Sequence, residues 1–462
     1  MVRPSKPGPG TDVERTRFPV FGLCWSTSLL VHCGGGGSSK TGVGNCIVCS
    51  NGTTIDTGDQ ICVSCDVYPR VGQEPVFVAA AIGDGGPVCI YHSSTGHCMG
   101  QYFPESKDWA GFNYVKFSPN GHGLLAGCEN GTVVSFGLHW ENVVNSRDHN
   151  NMPKVHFTKL AIFKALVEDE QPSTAAHSRQ PPPILIDHMA GHSKAICGVA
   201  YHPLLQANQC LTCAKDGCIK VWDFETGELK ASVACPIWDM SAPAPKRPPQ
   251  VLVRGCCYGI NNFIYTVQSG RRGKAFVSQW RLALRQPLNQ HSQQPKQETV
   301  LVENNRICIA EDPISAMCMS ADMSKLFCGS VEGSVIVLDA ESLRVIQVFD
   351  NIHDLPITCI SPRPSKRHVS PEMGIHPDVE IITGSADSKL VRLSTRRQPM
   401  SWIAFYVNST FFLVIFVIIW YSIFEKECYV DLLEMQFRNY QTCIHYSLVA
   451  SNDMPGVHSI PM

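Results

Sequence analysis

Apolar and polar residues alternate in short runs along most of the chain, and each run is broken by a turn signal. Period-two alternation puts every second side chain on one face, which predicts half-buried β-strands. The clearest case is QCLTCA, then Lys215-Asp216-Gly217, then CIKVWD: two strands around a tight turn. Weaker copies are FVAAAIGDGGPVCIY around Asp84-Gly85, LLAGCENGTVVSF around Asn130-Gly131, LFCGSVEGSVIVLD around Glu332-Gly333 and IITGSADSKLVRL around Asp387-Ser388. VLVRGCCYGINNFIYTVQ with AFVSQWRLAL supplies a sixth pair, and a seventh runs from Phe18 to Val48.

Segments that repeat in this way call for one supersecondary unit used many times. Gly191-His192 ahead of QCLTCA, with Trp222-Asp223 closing the next strand, gives the pattern of a WD repeat blade. The predicted fold class is all-β: a seven-bladed WD repeat β-propeller over residues 18–397, closed so that no long sheet edge is exposed. Residues 1–17 read as an N-terminal extension. Glu141 to Pro183, Ala242 to Pro249 and Gln286 to Thr299 read as surface insertions. His192, Asp216 and Trp222 are expected to form a structural hydrogen-bond network. Ala214 stands where its fourth member is expected, so that network reads as incomplete, and His353, Ser385 and Asp387 offer a better one.

The pattern changes at Trp402. From there to Phe424, 23 residues carry no charge, which as a helix is roughly 34 Å long and enough to cross a bilayer. Trp402, Tyr406, Trp420 and Tyr421 mark its ends as interfacial. Lys389, Arg392, Arg396 and Arg397 precede the span, while Lys426 and Arg438 follow among acidic residues. The expected arrangement is therefore single-pass type II: propeller cytosolic, transmembrane helix 402–424 and lumenal tail 425–462. That placement makes most of the 22 cysteines reduced core residues. Lys plus Arg is 38 against Asp plus Glu 40, so no cationic excess favours nucleic acid as the main partner.

Chemistry concentrates in one place, Gly34 to Asn45 (GGGGSSKTGVGN), between the strands LLVHC and CIVC. Four successive glycines weaken a strand, so they imply flexibility or close backbone approach. A phosphate-binding P-loop needs Gly directly before its Lys and a helix after it; here Ser39 precedes Lys40 and CIVC reads as a strand. Cys46-x2-Cys49 and Cys62-x2-Cys65 have nearly the spacing of a zinc ribbon. Cysteines three apart on a strand point to opposite faces, however, and Cys210-x2-Cys213 lies inside the clearest blade, so no zinc is expected.

RFPVFGL, LLVHCGGGGSSKTGVGN, CIKVWDFETGEL, GSVEGSVIVLD and STRRQPMSWIAFYV together resemble the endoplasmic reticulum guanine nucleotide exchange factors of the small GTPase that initiates COPII coat assembly. The resemblance covers most of Phe18 to Phe424; the tail and much of Cys46 to Ser106 match poorly. It implies a membrane-anchored exchange factor without covalent chemistry, whose partners are the COPII GTPase and, through Trp402 to Phe424, the endoplasmic reticulum membrane. It also implies that Thr41, Gly42, Val43 and Asn45 act in exchange. A potassium ion is implied at the loop, held mainly by backbone carbonyls of Gly34, Gly35, Gly36 and Gly37, with Asn45. As a loop-tip residue, Asn45 is expected to be replaceable without loss of stability. The competing readings are a membrane-tethered WD repeat scaffold without exchange activity and a transcription regulator, the latter opposed by the neutral charge balance.

Overall fold

The computed structural model describes residues 12–38, 42–71, 75–104, 111–141, 154–163, 191–204, 207–238, 250–285, 298–364, 379–395 and 410–418. Residues 1–395 form one compact unit and residues 396–462 another. The first holds seven four-stranded antiparallel sheets. Their first strands, Val20–Trp25, Cys62–Tyr68, Phe112–Phe117, Ile196–Tyr201, Leu252–Tyr258, Ile314–Met319 and Ile357–Pro362, each touch the equivalent strand of both neighbouring blades, closing a ring. Every expected segment lies in its own blade of this seven-bladed propeller.

Second strands such as Phe77–Ile82, Gly123–Cys128 and Lys325–Ser330 are buried along their whole length. Blades cover both of their faces, so these strands are buried throughout and not half-buried as alternation predicts. The core is accordingly a series of layers between blades. Phe77, Phe112, Leu124 and Phe136 fill one, and Phe327, Val337, Ile357 and Leu393 fill another.

Three expectations need correction. The boundary placed at residue 18 falls inside the propeller, because Asp12–Arg15 is the outer strand of blade 7 and pairs Val13 with Val391. The stretch read as an insertion from Glu141 to Pro183 contains a strand, Lys154–Phe163, which forms the outer edge of blade 3 against Val133–Glu141. An outer strand needs only one buried face, and Val155, Ala161 and Phe163 supply it.

The third correction concerns the blade 4 network, which is complete. His192 Nδ1 meets Asp216 Oδ2 at 3.0 Å, His192 Nε2 meets Thr212 Oγ1 at 2.8 Å, and Trp222 Nε1 donates to the same Thr212 oxygen at 2.8 Å. The fourth member is Thr212, not position 214. Blade 7 repeats the arrangement with His353, Asp387 and Thr383, while Ser385 instead donates to the Pro356 carbonyl at 2.9 Å. Burial raises the Asp216 pKa, but the bonds from His192 and from the Cys218 and Ser193 N–H groups outweigh it and hold the carboxyl below its usual range. These are satisfied structural groups, as expected of polar side chains inside a sheet.

Of the expected span, residues 410–418 are described; they are helical, with Phe411, Phe412 and Leu413 exposed. Among the described residues no helix is long and apolar enough to cross a membrane. The rest of Trp402 to Phe424, like the tail 425–462, lies outside the described residues. Two of the four flanking cations are committed within the propeller. Lys389 pairs with Asp354 and Asp387, and Arg392 binds Glu380 at 3.0 Å and stacks over Trp25. Outside the propeller this leaves Arg396 and Arg397 before the segment against Lys426 and Arg438 after it.

Candidate functional site

The glycine-rich segment leaves the second strand of blade 1, Leu30–Gly34, and returns at the third, Cys46–Cys49. It occupies the same face of the ring as the turns at Asp84-Gly85, Asn130-Gly131, Asp216-Gly217 and Glu332-Gly333, all of which join second strands to third. Thr41 lies outside the described residues, together with Ser39 and Lys40. A strand follows the loop where a P-loop requires a helix.

Close approach explains the first glycines. A Cβ on Gly34 would collide with the Pro19 carbonyl oxygen, and one on Gly35 with the Asn45 side-chain oxygen. Gly35 N–H donates to that same Pro19 carbonyl at 3.2 Å. Gly35 and Gly37 also hold φ of 150° and 79°, conformations that disfavour any side chain.

Asn45 is the centre of the arrangement. It is only 4% exposed, its Oδ1 accepts the Gly37 N–H at 2.9 Å, and its Nδ2 donates to the Gly58 carbonyl at 2.9 Å and the Gly37 carbonyl at 3.2 Å. Its own carbonyl accepts the Thr57 N–H at 3.0 Å. The side chain thus ties the loop to itself and to the connection leading from blade 1 to blade 2. Asn45 is an inward staple and not a loop tip, which overturns the expectation that its loss leaves stability unchanged. The described residues that reach solvent are Ser38, Gly42 and Gly44, with Val43 half-buried among them.

Beneath the loop, His32 is buried against Phe18, with ring centroids 5.6 Å apart. Burial without an opposing carboxylate pushes its pKa down to about 4, so the ring is neutral at ordinary pH. No carboxylate stands among the described loop residues; they offer neutral carbonyl oxygens, the donor chemistry of a potassium site. Asn45 Oδ1 accepts one N–H, from Gly37, and an amide oxygen has a second lone pair that a cation would use. Its two N–H bonds lie against the kind of partial negative charge that a cation would otherwise neutralise.

Of the paired cysteines, Cys49, Cys62 and Cys65 are buried, and the Cys65 sulfur lies 3.5 Å from that of Cys24. Among the described residues no group of three or more His, Cys, Asp or Glu side chains could hold a metal ion. The residues that sequence reasoning missed are Thr212, Thr383, Pro19 and Gly58. The two threonines carried a signal: each lies four residues before its Asp, on the same strand face as the position two before it.

The family model for the WD domain, G-beta repeat (WD40), matches residues 184–223, which include the first three strands of blade 4 and end on Trp222-Asp223. No curated protein matches the chain. The fold is a seven-bladed propeller, and its fourth blade carries a WD40 repeat.

Proposed function

We propose that this protein is a membrane-anchored guanine nucleotide exchange factor for the small GTPase that initiates COPII coat assembly at the endoplasmic reticulum, promoting transport toward the Golgi. The observation that carries the reading is the glycine loop tied by Asn45 to Gly37 and Gly58, with Gly42 and Gly44 exposed and Val43 half-buried between them. A loop fixed in advance can spend its contact energy on distorting a partner instead of on its own ordering. Thr41, Gly42 and Val43 would touch the GTPase, and Asn45 would position them. Exchange requires tighter binding to the nucleotide-free GTPase than to its GDP form, and linkage then weakens GDP by the same factor. No bond is made or broken in this protein, so it needs no catalytic triad.

Potassium belongs to the proposal as an ion held by backbone carbonyls of Gly34 to Gly37, stiffening the loop further. Trp402 to Phe424 would anchor the chain, type II with the propeller in the cytosol, and so decide where the activated GTPase appears. Nucleic acid has no place as a main partner, given 38 basic against 40 acidic side chains.

GDP release from the COPII GTPase, followed by fluorescence with the full-length chain, tests this. Val43→Ala should slow release with little change in unfolding midpoint, and sodium in place of potassium should slow it less. Release indifferent to the chain would favour a second reading, a membrane-tethered WD repeat scaffold without exchange activity. That reading draws on the inward position of Asn45, which suits a structural loop equally well.

A further inference from the structure

The third and outer strands of blade 5, Ala275–Arg285 and Glu298–Ala310, are long, and they outrun the strand beside them. The second strand, Ile264–Ser269, pairs with the third only as far as Ile264 with Trp280. Pairing with the outer strand continues to Arg285 with Glu298. Residues 281–285 are therefore hydrogen-bonded along one edge and, among the described residues, have no backbone partner along the other. The chain ahead of Ile264 could have covered that edge. It turns away instead through Ile260–Asn262, where Asn261 and Asn262 adopt φ of 55° and 61°.

The place left open is a cavity of about 650 Å³ between blades 4 and 5, with His202, Leu204, Tyr258, Asn262, Arg281 and Leu282 in its wall. Arg281 is exposed, is the one formally charged side chain in that wall, and makes no ion pair among the described residues. The Tyr258 hydroxyl is buried with no hydrogen-bond partner among the described residues. His202 Nδ1 accepts the Leu204 N–H at 3.1 Å, and burial pushes the pKa of the ring down, so it adds no cation. Leu204 is 57% exposed and Leu284 is 66% exposed, the latter two residues beyond Leu282 on the same strand face.

We propose that this groove binds an extended peptide segment of a partner protein, added as a strand along Arg281 to Arg285, with an acidic side chain on Arg281 and apolar side chains over Leu204 and Leu282. An open strand edge supplies main-chain affinity, and pockets for alternate side chains supply selectivity. Five residues of edge span about 17 Å, enough for a segment of five or six residues. The acidic preference follows from a guanidinium with no ion pair among the described residues, in a wall without carboxylates, and an acceptor on the peptide would satisfy Tyr258. The groove lies at the end of the blades opposite the glycine loop, because it is next to the turn from a third strand to an outer one. It therefore goes beyond the exchange reading and does not depend on it.

The test uses no nucleotide. The full-length chain in detergent is panned against a displayed random decapeptide library, and recovered peptides are measured by fluorescence anisotropy. The expected binders carry an acidic residue flanked by apolar residues at alternate positions. They should bind Arg281→Glu and Leu204→Asp at least about tenfold more weakly, and amide exchange at residues 281–285 should slow when they bind. Panning against Arg281→Glu should select basic residues in place of acidic ones. Recovery of no peptide, or of peptides indifferent to both variants, would overturn the proposal. Binding seen only after excision of residues 286–297 would assign the groove to the chain's own segment and would overturn it as well.

Discussion

Removing the Asn45 side chain would leave the Gly37 N–H and the Gly37 and Gly58 carbonyls without their partners at a site that is 4% exposed. Asn45→Ala should therefore cost about 1–3 kcal/mol, read as a lower urea midpoint, as well as slow GDP release. An unchanged midpoint would show that the staple contributes nothing. His32 makes a prediction with a sign. Folded, it titrates near 4; an unfolded imidazole titrates near 6.5. Between those values the unfolded chain binds the extra proton, so stability is unaffected above the window and falls as pH drops through it, by up to roughly 3 kcal/mol. His353 and His202, also lowered by burial, act in the same direction. Urea midpoints should fall between pH 7 and pH 5, and His32→Gln should flatten that fall. Neither residue's setting was legible in the sequence. Alternation assigns faces along a strand, but Asn45 sits where alternation stops, and its partners are backbone groups that no side-chain pattern reveals.

Among the elements, the strand pairs with a turn between them were legible because Gly, Asp and Asn mark left-handed turn positions, as at Asp84, Gly131 and Gly217. The outer strands were not. Asp12–Arg15 is four residues with three charges, and its only cue is Val13. Lys154–Phe163 is far enough from its partner in sequence to read as part of an insertion. The short strand nevertheless closes the ring, pairing Asp12 to Arg15 with Arg392 to Lys389. Deleting residues through Arg15 bares that edge and should lower the melting temperature by several degrees while leaving the other six blades intact. A truncated chain that melts like the full one would mean that closure rests on the contact between blades 1 and 7 alone. Thr212 shows a subtler failure: the network in blade 4 was expected from residue types, but its exact member depends on how far His192 reaches across the sheet, which only the register decides.

For the whole molecule, propeller and repeat were legible from periodicity, whereas the proposed membrane topology rests on a handful of charges. If the anchor is type II, protease added to intact microsomes should digest the propeller and spare the tail after residue 424. A protected propeller would reverse the topology and place 20 thiols that are free in this structure in an oxidising compartment. Ring closure by the N-terminal strand has a further consequence, one of timing. Asp12 leaves the ribosome some 380 residues ahead of its partner Arg392. At about 5–20 residues per second that interval is about 20–80 s. Throughout it the opening strand has no mate, while blades 1 to 6 can assemble in order behind it. The last blade then completes only after the segment leading to Trp402 begins to emerge, so maturation of the propeller and emergence of the uncharged segment that follows it fall within the same few seconds of synthesis.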